Sequence, residues 1–378
     1  MAALTEEQVM LRDAARDWAR EKSPVSALRR VRDADLPLGF DPAAWKAMAE
    51  MGWPGVLIPE EYGGSAFGYL SLGQILEETG RTLTASPLIS TALTAASALM
   101  LGGTPEQQAA WLPRIAAGEA IGALAVDEGP RHAPDSIALA ATSASDGWTL
   151  SGTKTFVLDG MAADIFVVAA RTSGPAGQAQ GVSLFLVPAD AAGVSRKRLK
   201  LLDSRGVAQV TFEGTPVGRD ALLGPLGGGA PLLEQVLDRA RAGVCAEMLG
   251  AALQAFETTV DYLKVRVQFG QPIGSFQALQ HRAARMFMEL ELARSAVEAA
   301  LQAIDAGSPE VPELVSLAKA KMGDTLHLVS NEMIQMHGGI GMTDAHDAGF
   351  YLKRARVAEA TYGSQSFHKE RYARLTGL

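Results

Sequence analysis

Leu4, Val9, Leu11, Ala15 and Trp18 recur at mostly helical spacing, and Trp45, Met48 and Met51 mark a second amphipathic piece. Gly52, Pro54, Pro59 and Gly63-Gly64 interrupt the pattern as a loop, and residues 69–80 return to a helical period. Thr104-Pro105-Glu106 reads as a helix start, with Thr104 as N-cap and Pro105 at the first helical position. That helix stops before Gly118. Residues 1–120 are therefore expected to form an N-terminal all-α domain.

The pattern then changes to short runs rich in β-formers: Ile121–Val126, Trp148–Ser151, Phe156–Leu158, Ile165–Ala170, Val182–Val187 and Val210–Phe212. Asp146-Gly147, Asp159-Gly160, Gly174-Pro175 and Gly193 separate them as turns. No helices alternate with these strands, which argues for a small β-barrel or sandwich over 121–222 and against a parallel doubly wound sheet. Gly224–Gly229 reads as a linker rather than a phosphate cradle. Helical periodicity resumes over 231–268, 276–306, 311–336 and 346–375. These predict a C-terminal four-helix bundle over 230–378, with Met286, Met288, Met322, Met333 and Met336 filling its core.

Composition narrows the function classes. The chain has 378 residues, 48% hydrophobic and 20% charged, which excludes a disordered chain. The net charge of −8 argues against general nucleic-acid binding. A single cysteine, Cys245, excludes an intrachain disulfide or a Cys-based zinc site and fits a reducing compartment. Met1–Arg20 is amphipathic and charged, without the apolar core of a signal peptide. The uncharged stretch between Arg81 and Glu106 contains Pro87 and Gly102-Gly103 and reads as a buried helix. We therefore expect a cytoplasmic protein with no membrane span. The six histidines form no i, i+4 pair, so no metal is expected. There is no G-x-S-x-G elbow, and Cys245 lies in an apolar helix, so a serine or cysteine nucleophile has no support. Gly338-Gly339-Ile340-Gly341 does not fit the dinucleotide fingerprint, and no strand precedes it.

Two segments stand above this background. In Val265-Arg266-Val267-Gln268-Phe269-Gly270-Gln271-Pro272-Ile273-Gly274-Ser275-Phe276-Gln277 a long helix ends in a turn before another begins. In Gln335-Met336-His337-Gly338-Gly339-Ile340-Gly341 a helix ends in backbone that a ligand can approach closely. Together with Thr104-Pro105-Glu106-Gln107-Gln108, Leu112-Pro113, Gly118-Glu119 and Ser151-Gly152-Thr153-Lys154, they make the chain resemble the acyl-CoA dehydrogenase flavoproteins over nearly its full length.

The resemblance implies helical, β and four-helix domains in that order. It implies FAD bound between the middle and C-terminal domains with help from a neighbouring subunit. The implied reaction is α,β-desaturation of an acyl-CoA thioester, in which a carboxylate removes the α-proton while the β-hydrogen leaves as hydride to the flavin. Electron-transfer flavoprotein is the implied acceptor, and the implied assembly is a homotetramer or an α2β2 heterotetramer. By the same resemblance, Arg266 holds the FAD pyrophosphate of the adjacent subunit, and Gln268 and Phe269 lie at the adenosine end. Gln335, Gly338 and Gly339 close over the adenine and ribose, Ser364 and Ser366 meet the FAD phosphates, and Asp238 and Arg241 lie along the acyl-CoA.

Three departures stand against this. The family's Thr-Glu-Pro…Gly-Ser-Asp segment is replaced near Val126-Asp127-Glu128-Gly129 to Pro134-Asp135-Ser136. Its flavin-facing Trp-Ile-Thr becomes Phe156-Val157-Leu158, and Leu158 has no side-chain donor. The usual catalytic glutamate becomes Tyr362, and the alternative base position on the first helix of the C-terminal domain becomes Ala240. Glu247, seven residues later, returns to nearly the same helical face ~10 Å further along the axis. Glu247 is either a replacement base or a paired structural carboxylate. The chain is then one of three things: a desaturase of an unusual or bulky acyl-CoA, a base-lacking FAD-binding subunit of a heteromeric enzyme, or a non-catalytic homologue without flavin.

Overall fold

The computed structural model describes residues 4–378. Its first part holds helices α1 (Glu6–Lys22), α2 (Val25–Asp33), α3 (Pro42–Glu50), α4 (Tyr69–Arg81), α5 (Ala96–Gly102) and α6 (Pro105–Ala116). A buried π-helical turn, Ile89–Ala95, leads directly into α5. Thr104 caps α6 through a reciprocal box: its hydroxyl accepts from Gln107 N, and the Gln107 side chain accepts from Thr104 N. Thr104→Ala removes one half of that exchange. It is expected to cost about 1 kcal/mol, read as a lower urea midpoint.

The strands are β1 (Gly122–Ala125), β2 (Ala140–Ala144), β3 (Gly147–Leu158), β4 (Ile165–Arg171), β5 (Val182–Pro188), β6 (Val194–Arg198), β7 (Val207–Gly218) and β8 (Leu222–Leu223). They form one mixed sheet in the order β6-β7-β3-β2-β4-β5-β8, with β1 parallel to β4. The expected barrel or sandwich is thus a single hydrogen-bonded sheet. Leu139, Leu150, Val168, Phe166, Phe185 and Phe212 pack its core, the rings of Phe166 and Phe212 meeting edge to face at 6.4 Å. The runs at 148–151 and 156–158 belong to one strand, β3, bulged between Lys154 and Val157 where it pairs with β7.

Next come α7 (Ala230–Val265), the short strands β9 (Val267–Gln268) and β10 (Gln271–Pro272), α8 (Gln277–Asp305), α9 (Val311–His337), α10 (Ala348–Ala360) and α11 (Gln365–Thr376). The helix expected over 346–375 is therefore two helices. Tyr362 at φ 55° and Gly363 at φ 113° break the helical path, and Ser364 caps α11. Met286, Met322, Met333 and Met336 are buried as expected, but Met288 and Met51 are exposed. Met288 lies on the outward face of α8, and Met51 is the C-cap of α3. The Gly224–Gly229 segment is no loose linker. Gly229 N donates to Val182 O, Gly227 N to Ser183 Oγ, and Gly181 N to Gly227 O, so it packs along the start of β5.

By packing, the described residues group into two compact units. One comprises the residues up to Arg29, Tyr69–Thr84 and Arg241–Leu378; the other comprises Arg30–Gly68 and Ala85–Ala240. In the first, α1 lies on α4, α4 on α8, and α8, α10 and α11 on α9. Glycines bring α4 and α7 into backbone contact: a Cβ on Gly80 would overlap the Glu247 carbonyl, and one on Gly250 the Glu77 carbonyl. Among the described residues, no helix is long and apolar enough to cross a membrane.

Candidate functional site

The first unit carries most of the expected site. Tyr362, which the resemblance assigns to the base position, lies in the turn between α10 and α11 and is 9% exposed. The Tyr362 carbonyl accepts from Arg241 Nε at 3.2 Å and from His368 Nε2 at 3.1 Å. His368 is fully buried. Desolvation, reinforced by Arg241, Lys319 and Arg371, pushes it down to about 2 and keeps it neutral. The proton therefore sits on Nε2, and Nδ1 faces no hydrogen-bond partner among the described residues.

Further along α7 than Arg241, Glu247 is buried. Its two oxygens accept from Arg354 Nε at 3.1 Å and Arg354 Nη2 at 2.7 Å, a bidentate pair. Of the two readings of Glu247, this geometry is that of a paired carboxylate. Each carboxylate oxygen already accepts one N–H of a buried guanidinium. Asp238 and Arg241 are both buried on α7.

Beyond α7, β9 and β10 form a small hairpin whose tip carries Phe269, 92% exposed and held at φ 54°. Arg266 and Gln268 are exposed beside it. Gln268 Nε2 donates to the Val267 carbonyl, while Arg266 faces no carboxylate among the described residues. At the end of α9, Gln335, Gly338 and Gly339 are exposed, Gly338 at φ 61°. A Cβ added at either glycine would meet nothing within 4 Å, so the surface here is open. Behind this turn His337 stacks on Tyr262 and meets His346 at a tilt, each ring centroid 4.4 Å away. Ser364 accepts from Phe367 N as the cap of α11, and Ser366 is exposed in its first turn.

In the second unit, the bulge in β3 holds Phe156 at φ 52° and leaves it 41% exposed, with Leu158 half-buried two residues on. Lys154, wholly buried, anchors the bulge: Nζ donates to Val126 O at 2.9 Å and Glu128 Oε1 at 2.7 Å. Desolvation pushes this lysine down to about 8 against the pull of Glu128. Glu128 also accepts from the backbone of Ala138 and Leu139, and Asp127 from His132 Nδ1 and Ala133 N. The replaced segment is thus a closed network of its own. The loop from Val126 to Ile137 lines a cavity of about 280 Å³.

Sequence reasoning missed Arg354 and Lys319. Lys319 falls within the apolar stripe of α9 between Val315 and Met322, and that misplaced charge was its only signal. Arg354 gave none, because its partner lies 107 residues away. Among the described residues, no group of three or more His, Cys, Asp or Glu side chains is arranged to hold a metal ion.

Three family models match the chain. The acyl-CoA dehydrogenase N-terminal domain matches residues 5–119, the middle domain 129–215 and the C-terminal domain 227–376. A curated relative, the acryloyl-CoA reductase (NADH) of Anaerotignum propionicum, is 33% identical over 98% of this chain and 95% of its own length. Butyryl-CoA dehydrogenase from Megasphaera elsdenii superposes with a TM-score of 0.92 at 26% identity, covering all of both chains. A chain of the ChsE4–ChsE5 complex from Mycobacterium tuberculosis superposes at 0.89 and 26% identity, covering 100% of this chain and 99% of that one.

Proposed function

Because the chain belongs to the acyl-CoA dehydrogenase family, we propose that it binds FAD and serves α,β-desaturation of an acyl-CoA thioester as one member of a two-chain enzyme. In this reading its companion supplies the carboxylate that removes the α-proton. The observation that carries it is the state of the base positions. Tyr362 and Ala240 have no carboxylate, and Glu247 has both oxygens engaged by Arg354. A complex of two named chains among the similar structures supports a two-chain assembly.

The residues present fit the phosphates and adenosine of FAD. The exposed Arg266 guanidinium has the fork geometry and the free charge to bind a phosphate. Ser364 keeps its hydroxyl proton for a second phosphate oxygen at the start of α11, where backbone N–H groups and the helix dipole favour an anion. Gln335 and the Gly338-Gly339 turn leave side-chain amide and backbone accessible to an adenosine. Bound FAD would supply a two-electron acceptor. Phe156 and Leu158 present apolar side chains, so hydrogen bonds from this strand to a flavin have to come from backbone. With Phe269 at its exposed tip, the β9–β10 hairpin is suited to reach a neighbouring chain, and we expect a dimer of dimers passing electrons to an electron-transfer flavoprotein.

Purification alone and with the product of the adjacent gene tests this. Flavin absorbance near ~450 nm is expected in at least the co-purified complex, bleached by acyl-CoA esters only there. Bleaching in the protein alone would favour a self-sufficient desaturase and identify a base within this chain. No flavin in either preparation would sink both readings.

A further inference from the structure

The buried end of Lys319 makes contacts that the proposed reaction does not use. Its Nζ donates to three carbonyls: Ala358 O at 3.1 Å, Glu359 O at 3.1 Å and Gly363 O at 2.9 Å. Two of these belong to the last turn of α10, whose carbonyls lack helical partners, and a cation there also opposes the negative end of the helix dipole. The third lies beyond the strained step at Tyr362 and Gly363. Gly363 itself admits no side chain, since a Cβ would stand 2.6 Å from Phe367 Cδ1 and 2.7 Å from His368 Nε2.

We propose that the Lys319 ammonium is a three-point clamp that positions the α10–α11 turn carrying Tyr362 and Ser364, and that losing one proton releases a carbonyl and loosens the turn. An ammonium has three N–H donors and the neutral amine two, against three acceptors. The charged and titratable groups facing Lys319 are Cys245 and Arg241 from α7, Arg354 and Glu359 from α10, and His368 from α11. Burial raises the Cys245 thiol to about 12 and lowers His368 to about 2, so both stay neutral through mild alkali, and the guanidiniums stay charged. Desolvation brings Lys319 down to about 8, which places the loss of its proton in that range.

The sign of the global effect is opposite. A lysine whose folded value lies below its usual 10.5 weakens the fold while charged, and this cost is relieved as pH rises from about 8 toward 10.5. Lys319 therefore predicts local loosening without global loss of stability. The clamp's relevance to a flavin site rests on the proposed function, through Ser364.

Hydrogen exchange of the full-length protein at pH 7 and pH 9, with intrinsic rates divided out, tests the clamp without any flavin. Protection of the Thr361 and Gly363 amides, which donate to Val357 O and Ala360 O, is expected to fall roughly tenfold at pH 9, while α9 holds. Lys319→Met should be weakly protected at both pH values, and Lys319→Arg should keep its protection at pH 9. Wild-type protection constant within about twofold would overturn the clamp even if neither variant folds. Wild-type protection in Lys319→Met at pH 7 would overturn it as well. FAD affinity measured alongside is expected to weaken at pH 9, and an unchanged affinity beside a loosened turn would overturn the positioning role. A chain that shows the pH-dependent exchange but binds no FAD keeps the clamp and refutes the flavin reading.

Discussion

Replacing Arg354 with methionine is expected to destabilise the protein by about 3–5 kcal/mol. The guanidinium and the Glu247 carboxylate are both buried and meet through two parallel hydrogen bonds. Methionine fills much of the arginine stem but leaves Glu247 buried without this guanidinium. Breaking one side of such a pair costs far more than replacing both sides, because the remaining charge keeps its desolvation penalty. Glu247→Leu combined with Arg354→Met should therefore recover most of the loss. Urea midpoints for the single and double variants read this directly. A single-variant loss under about 1 kcal/mol would show that the carboxylate is solvated and free for other chemistry, and would make Glu247 a candidate base again.

The same pair shows what a sequence can and cannot reveal. The helical, β, helical order was legible because it is written in local periods. The cap at Thr104 was legible because its hydroxyl stands directly before a proline suited to the first helical position. Arg266, Gln335 and the Gly338-Gly339 turn could be proposed from sequence because each stands in one short segment at a helix end. Where two apolar runs of a strand are separated by a bulge, as in β3, the local pattern stops and one strand looks like two. β2 and β6 are mostly exposed, β2 built of small residues and β6 largely basic, so they carry no apolar alternation to recognise. The break at Tyr362–Gly363 is set by donors from α7, α9 and α11, none of them adjacent in sequence. Residues brought together only by packing leave at most a misplaced polar residue as their trace, as Lys319 did.

Gly250→Ala is expected to cost about 3 kcal/mol, although it exchanges a poor helix former for the best one. By propensity alone this change inside α7 would stabilise the helix by about 1 kcal/mol. Packing reverses the sign. The added methyl would overlap the Glu77 carbonyl of α4 and crowd Arg81 N, and backbone cannot step aside as the end of a flexible side chain can. Gly80 makes the reciprocal approach to the Glu247 carbonyl, so an alanine at either position forces α4 and α7 apart. That displacement would also move Glu247 relative to Arg354, and the two sites should couple in a double-variant comparison. Gly349 in α10 supplies the contrast, since a Cβ there meets nothing within 4 Å. Gly349→Ala should raise the urea midpoint while Gly250→Ala lowers it. Equal effects at the two positions would mean that α4 and α7 do not touch through their backbones.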